Sequence, residues 1–140
     1  MRKSLLLLGV LLLFNCGPKN AALEMDSLNG YWEIEEVFFP DKSVKTYDIN
    51  TTVDFFTYKD GKGFRKKVQP SLDGTYTTSD DAIPFIKVEV EGTVYLRYTN
   101  EQESWEEEVK LVQANMLRLR NAAGIQYTYR RYEPIAITDE

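Results

Sequence analysis

Side chains able to do chemistry are few in this chain of 140 residues, and the gaps are as informative as the residues present. There is no histidine and a single cysteine, Cys16. That removes the commonest general base, the usual zinc ligands, Cys-His nucleophilic pairs and any internal disulfide. Carboxylates are plentiful: Asp80 and Asp81 are adjacent, and Asp54 with Glu107 is a second combination. Glycosidase-type chemistry needs two carboxylates at a set separation across a cleft, and an adjacent pair in a Ser-Asp turn is more simply a hydrophilic loop. Asp73, Asp80 and Asp81 match no calcium-loop spacing. No nucleophile elbow, Gly-rich phosphate loop or dinucleotide fingerprint occurs. The expectation is a protein without catalytic residues, metal or cofactor.

Binding is the remaining use for its polar groups. In Arg65-Lys66-Lys67, alternation puts Lys66 with Phe64 and Val68, and Arg65 with Lys67 on the other face. A lone inward lysine is expensive unless paired. Lys66 is therefore a candidate anchor for a ligand carboxylate or phosphate, the alternative being a solvated edge. Glu107, in phase with Trp105 and Val109, points inward as a second polar anchor unless a bulge returns it to water. Tyr98, Trp105, Tyr127 and Tyr129 are the candidate apolar walls, because ligand pockets combine apolar surface with a few polar anchors.

The elements that position these residues are strands. Beyond Gly30 the hydrophobic pattern has period two, with no 3.6-residue stripe of helix length. Ten strands are expected, over 31–39, 44–48, 52–58, 63–69, 75–79, 84–90, 93–99, 104–112, 115–120 and 125–132. Short links such as Asp60-Gly61 and Glu91-Gly92 supply the positive φ that tight hairpins require. Short links make neighbours antiparallel, and an up-and-down run either closes or exposes two edges. The fold class is an all-β, antiparallel up-and-down β-barrel of about eight to ten strands. Within it, Ile86, Val88 and Val90 share an apolar face opposite Lys87, Glu89 and Glu91, and Val94, Leu96 and Tyr98 share another. The last strand does not declare its inside.

Gly30-Tyr31-Trp32, at the entry to this pattern, resembles the lipocalins and the wider calycin group, whose first strand carries Gly-x-Trp after a short turn of helix. The resemblance implies a structural role for Gly30 and Trp32, with a late arginine, Arg130 or Arg131, packed over the tryptophan to close the base. Together with Arg65–Pro70 and Tyr129–Pro134, the pattern is similar to the small lipocalin-like lipoproteins of the Bacteroidetes envelope. The chain lacks a cysteine pair and a C-terminal helix pattern, so an open calyx and a barrel filled with side chains both remain open.

The first fifteen residues read as an export signal: Arg2-Lys3, then an apolar run from Leu5 to Phe14. That run is short of the roughly 20 residues needed to span a bilayer. Leu13-Phe14-Asn15-Cys16 resembles the bacterial lipobox, which implies acyl chains on Cys16 and hence a stable membrane anchor. The expected organisation is a signal over 1–15, lipidated Cys16 and tether over 16–29, barrel over 30–134 and tail over 135–140. Without the signal, fifteen basic residues face twenty-two acidic ones, a net charge of −7 that argues against nucleic acid. The expected location is the outer membrane. The resemblance to those envelope lipoproteins, whose surface-export signals tend to be acidic at this point, implies its periplasmic side over the surface, since Lys19 rather than an acidic cluster follows Cys16. The expected activity is binding of a small hydrophobic or amphipathic molecule. The alternative is a non-catalytic module docking on another envelope protein.

Overall fold

The computed structural model describes residues 23–78 and 81–134; the signal, Cys16 and the tail lie outside the described residues. Ten strands follow one 3₁₀ turn, Met25–Leu28. They are β1 Gly30–Phe38, β2 Val44–Thr46, β3 Val53–Lys59, β4 Lys62–Pro70, β5 Tyr76–Thr78, β6 Ile83–Val90, β7 Thr93–Thr99, β8 Ser104–Val112, β9 Met116–Asn121 and β10 Gln126–Arg131. Eight of them make a closed antiparallel barrel in the order β1, β3, β4, β6, β7, β8, β9, β10, with β10 pairing back onto β1. Closure leaves no long free edge among these eight, which is how small all-β proteins avoid edge-to-edge association.

The two short strands fill gaps in the wall. β3 pairs only Gly30–Trp32 of β1, and β2 takes the far half of the same edge, Glu36–Phe38. Likewise β6 pairs Lys62–Arg65 of β4, and β5 takes Val68–Pro70. Tyr76 of β5 stacks on Tyr31 at 4.4 Å and meets Tyr132 edge-on at 6.4 Å, which fastens this arm across the outer wall. Asp60-Gly61 and Glu91-Gly92 have positive φ at both positions, the two-residue hairpin geometry that matches strand twist. These turns and the 3₁₀ turn lie at one end, the base. The loops 39–43, 71–75, 100–103 and 122–125 surround the other end, the mouth.

Alternation decides what fills the barrel. Trp32, Phe56, Phe85, Leu96, Tyr98, Leu117, Leu119 and Val112 are at most 2% exposed and form one cluster in the base half. Leu28 from the 3₁₀ turn is buried beneath them, with Leu23 and Met25 packed alongside. In β10 the inward set is Tyr127, Tyr129 and Arg131, the question its sequence left open.

Two inward assignments need correction. In β6 the inward residue is Phe85, while Ile86 and Val90 face out at 48% and 52% exposure. The register fixes this, since Phe85 lies opposite Tyr98 and Ile86 opposite Arg97. In β8, strict alternation from Trp105 and Val109 puts Leu111 inside, but a bulge at Lys110 shifts the phase and Val112 enters the core opposite Leu117.

The base is held by Trp32 and Arg131. The guanidinium lies 3.7 Å from the ring centroid, and the indole N–H donates to Leu28 O at 2.9 Å. Arg131 also donates to Ser27 O, Asn29 O and Ala114 O at 2.7, 2.8 and 3.0 Å, joining the 3₁₀ turn to the β8–β9 turn. Gly30 has φ +118°, and a Cβ there would lie 2.8 Å from Arg131 Nη1, so glycine is required twice over. Arg130 faces outward onto Glu33 at 2.6 Å. Cation–π stacking and charged hydrogen bonds contribute about 0.5–2 and 1.5–3 kcal/mol each. Arg131→Gln is therefore expected to lower unfolding free energy by roughly 2–4 kcal/mol in urea titrations followed by circular dichroism, whereas Arg130→Gln stays within about 1 kcal/mol.

Candidate ligand site at the barrel mouth

β3 and β4 pair so that Phe56 lies opposite Arg65 and Asp54 opposite Lys67. Paired residues share a face, and Phe56 is in the core, so Arg65, Lys67 and Asp54 all point inward. Lys66 therefore points out, with its Nζ 6.0 Å from the Phe55 ring centroid and 5.8 Å from that of Phe64. The inward position expected for Lys66 belongs instead to Arg65.

Arg65 lies across the middle of the barrel. Its Nη1 donates to Glu107 Oε1 at 2.7 Å and to the Tyr98 hydroxyl at 3.3 Å. Its Nη2 donates to Asp54 Oδ2 at 3.2 Å and to the Tyr129 hydroxyl at 3.0 Å. The guanidinium also sits 5.0 Å from the Phe56 ring centroid. Asp54 is 2% exposed; its Oδ1 accepts no well-directed hydrogen bond and is met by Lys67 Nζ at 2.7 Å. Two cations and two carboxylates thus neutralise one another, with Lys67 at the rim, its side chain 59% exposed.

The charge states follow from these contacts. Burial is the largest influence on Asp54 and works to raise its pKa, but Arg65 and Lys67 outweigh it and hold the carboxyl below its ordinary value. Burial likewise works against Arg65, yet Tyr129, Asp54, Tyr98 and Glu107 keep it well above the usual arginine range. For Tyr98 and Tyr129, burial pushes the phenols well above their ordinary value. In the fold they are neutral hydroxyls that accept from Arg65.

Above this layer is a cup of about 310 Å³, lined by Ile34, Arg65, Lys67, Trp105, Glu107, Asn121, Tyr127 and Tyr129. Of the residues expected to bind ligand, Trp105, Glu107, Tyr127 and Tyr129 line it. Tyr98 is 1% exposed, in the layer beneath, where it stacks on Trp105 at 5.5 Å between ring centroids. Arg65, Asp54, Lys67 and Asn121 were not expected as site residues. The signal for Asp54 was available, since it is the one charge in phase with Phe56 and Tyr58 on an otherwise apolar inner face. Three larger hollows, about 430 Å³ beside Phe64, Pro84 and Ile86, about 720 Å³ beside Ile83, Asn100 and Glu101, and about 380 Å³ beside Tyr95, Glu106 and Arg120, include none of the charged layer.

Eight antiparallel strands closed by the first and the last, a tryptophan under an arginine at the base and a cup at the mouth define a lipocalin-like β-barrel. Among solved structures, the chain is similar to a lipocalin-like protein from Bacteroides uniformis, with 13% identity and a TM-score of 0.47 over 76% of this chain and 99% of that one. It is also similar to a protein from Bacteroides eggerthii, with 13% identity and a TM-score of 0.47 over 75% and 99%. No family model matches the chain, and no curated protein does.

The two buried phenols give a pH test. Their folded pKa values lie above the unfolded value of about 10, so the native chain holds protons that the unfolded chain gives up. The stability they maintain is present in full below about pH 10 and is lost as pH rises from there toward the folded values. Of nine tyrosines, Tyr98 and Tyr129 are expected to be missing from the phenolate absorbance of the native chain at about pH 11 and to appear on unfolding. Tyr129→Phe is expected to flatten the alkaline loss of stability.

Proposed function

We propose that this chain is a non-catalytic, lipid-anchored carrier or receptor of the cell envelope that takes a small hydrophobic or amphipathic molecule into the mouth of its barrel. The observation that supports this most is the cup itself. It is walled by Ile34, Trp105 and Tyr127 and floored by a rigid polar layer. Its volume, about 310 Å³, lies at the small end of the range of about 300–1,000 Å³ typical of ligand sites. The base half is filled with side chains, which limits the guest to the mouth. Anchoring rests on the Leu13-Phe14-Asn15-Cys16 pattern, and the periplasmic side of the outer membrane on the residues that follow it. The described chain starts at the base, where Leu23 packs beside the core, and the anchor proposed at Cys16 precedes that end in the sequence.

A second reading, a module docking on another envelope protein, has one observation in its favour. β6 turns Ile86 and Val90 outward beside Pro84 and Phe64, an apolar strip on the outer wall.

Native mass spectra of the full chain purified from its own membranes are expected to show a small-molecule adduct that is lost in the Trp105→Ala, Tyr127→Ala double variant. Wild-type spectra with no adduct favour the docking reading. Separately, Cys16→Ser is expected to move the protein from the detergent phase to the aqueous phase in a phase-partition assay, and a variant that stays with detergent contradicts the anchor.

A further inference from the structure

We infer that the mouth selects an uncharged guest, a small flat amphiphile bearing carbonyl or hydroxyl oxygens, and discriminates against carboxylates and ammonium ions of the same shape. This rests on the reading of the cup as a ligand site and adds the chemical class of the ligand.

The argument is one of occupancy. A cup with arginine, lysine and glutamate in its lining looks made for an ion. Every one of those charges is already engaged. Both terminal nitrogens of Arg65 are held, each by one carboxylate and one tyrosine hydroxyl. Glu107 is paired with Arg65 at 2.7 Å. Lys67 is the most exposed of the set, yet Asp54 Oδ1 depends on it: that oxygen is buried and accepts no other hydrogen bond among the described residues. A ligand carboxylate that drew Lys67 away would strand a buried anionic oxygen, and a charge inside a protein is strongly unfavourable when its partner is removed. A ligand ammonium would have to compete with Arg65 for Glu107 and would bring an extra positive charge beside a layer that is neutral as it stands.

The lining side chains whose donors make neither a hydrogen bond nor an ion pair are neutral. Among the described residues the Trp105 indole N–H, the Tyr127 hydroxyl and the Asn121 side-chain N–H₂ make no hydrogen bond, Asn121 using only its Oδ1 to accept from Ile125 N at 3.0 Å. These are donors for oxygen acceptors of an uncharged molecule. The two aromatic residues also supply flat apolar surface.

The test is a matched set of probes on one ring: 1-naphthalenemethanol, 1-naphthoate and 1-naphthylmethylammonium, titrated into the full chain at neutral pH and read by calorimetry. The alcohol is expected to bind at least about tenfold more tightly than either ion, a difference of about 1.4 kcal/mol. Asp54→Asn frees Lys67 and leaves the layer with one net positive charge, and it is expected to reverse the order in favour of naphthoate. Asn121→Asp, a change in the cup lining outside the charged layer that keeps the acceptor for Ile125 N, is expected to shift preference to the ammonium, and it serves where Asp54→Asn does not fold. If none of the three probes binds, the mouth-site reading falls and this inference with it. If an ion binds the wild-type chain as tightly as the alcohol, or if preference is unchanged in the folded variants, the inference is overturned while the ligand site stands.

Discussion

Arg65 is the side chain on which the interior depends. A guanidinium inside a barrel is tolerable only when its charge and its N–H groups are met, and here the partners arrive from four other strands: Asp54 on β3, Tyr98 on β7, Glu107 on β8 and Tyr129 on β10. A slip of one residue in any of these would turn its partner to the outside. The layer thereby selects one register among the many that alternating hydrophobic strands permit. Buried ion networks add little net stability against an apolar replacement, while loss of one member costs about 3–5 kcal/mol. The contribution of Arg65 is specificity of arrangement more than bulk stabilisation.

That layer also divides the barrel into two parts. Below it the space is closed by Trp32, Phe56, Phe85, Leu96, Leu117 and Leu119, and beneath them the 3₁₀ turn is locked by Arg131. Above it the wall changes character, because β3 and β6 stop short and β2 and β5 take over on the same edges. The rigid base therefore carries a mouth whose floor is fixed and whose rim is built partly from short strands and loops. The cup thus has a preorganised floor of paired charges and an apolar wall.

Much of this was legible in the residues. Turn pairs such as Asp60-Gly61 and Glu91-Gly92, and the alternation between them, placed ten strands within a residue or two of their observed bounds. Trp32 and Arg131 were legible through Gly30-Tyr31-Trp32 and the late arginines. The facing of β6 was not. Its Ile86, Val88 and Val90 outnumber Phe85 and Ile83, and hydrophobic alternation follows the majority, whereas the register against β7 places the minority set inside. Bulges at Glu35 and Lys110 reset the phase part-way along β1 and β8, which no period-two count anticipates. Arg65 was missed because burial of an arginine is visible only once its carboxylate partners, 11 and 42 residues away, are seen beside it.

The most direct test of this account is the state of the Arg65 guanidinium itself, read by nitrogen-15 NMR of arginine side chains in the ligand-free protein. Four partners on two nitrogens should stop the group from rotating, giving separate, slowly exchanging Nη1 and Nη2 proton signals for Arg65. A single averaged Nη signal exchanging freely with water would mean that the charge is neither buried nor bound as described, and the layer that floors the mouth and fixes the register would not exist.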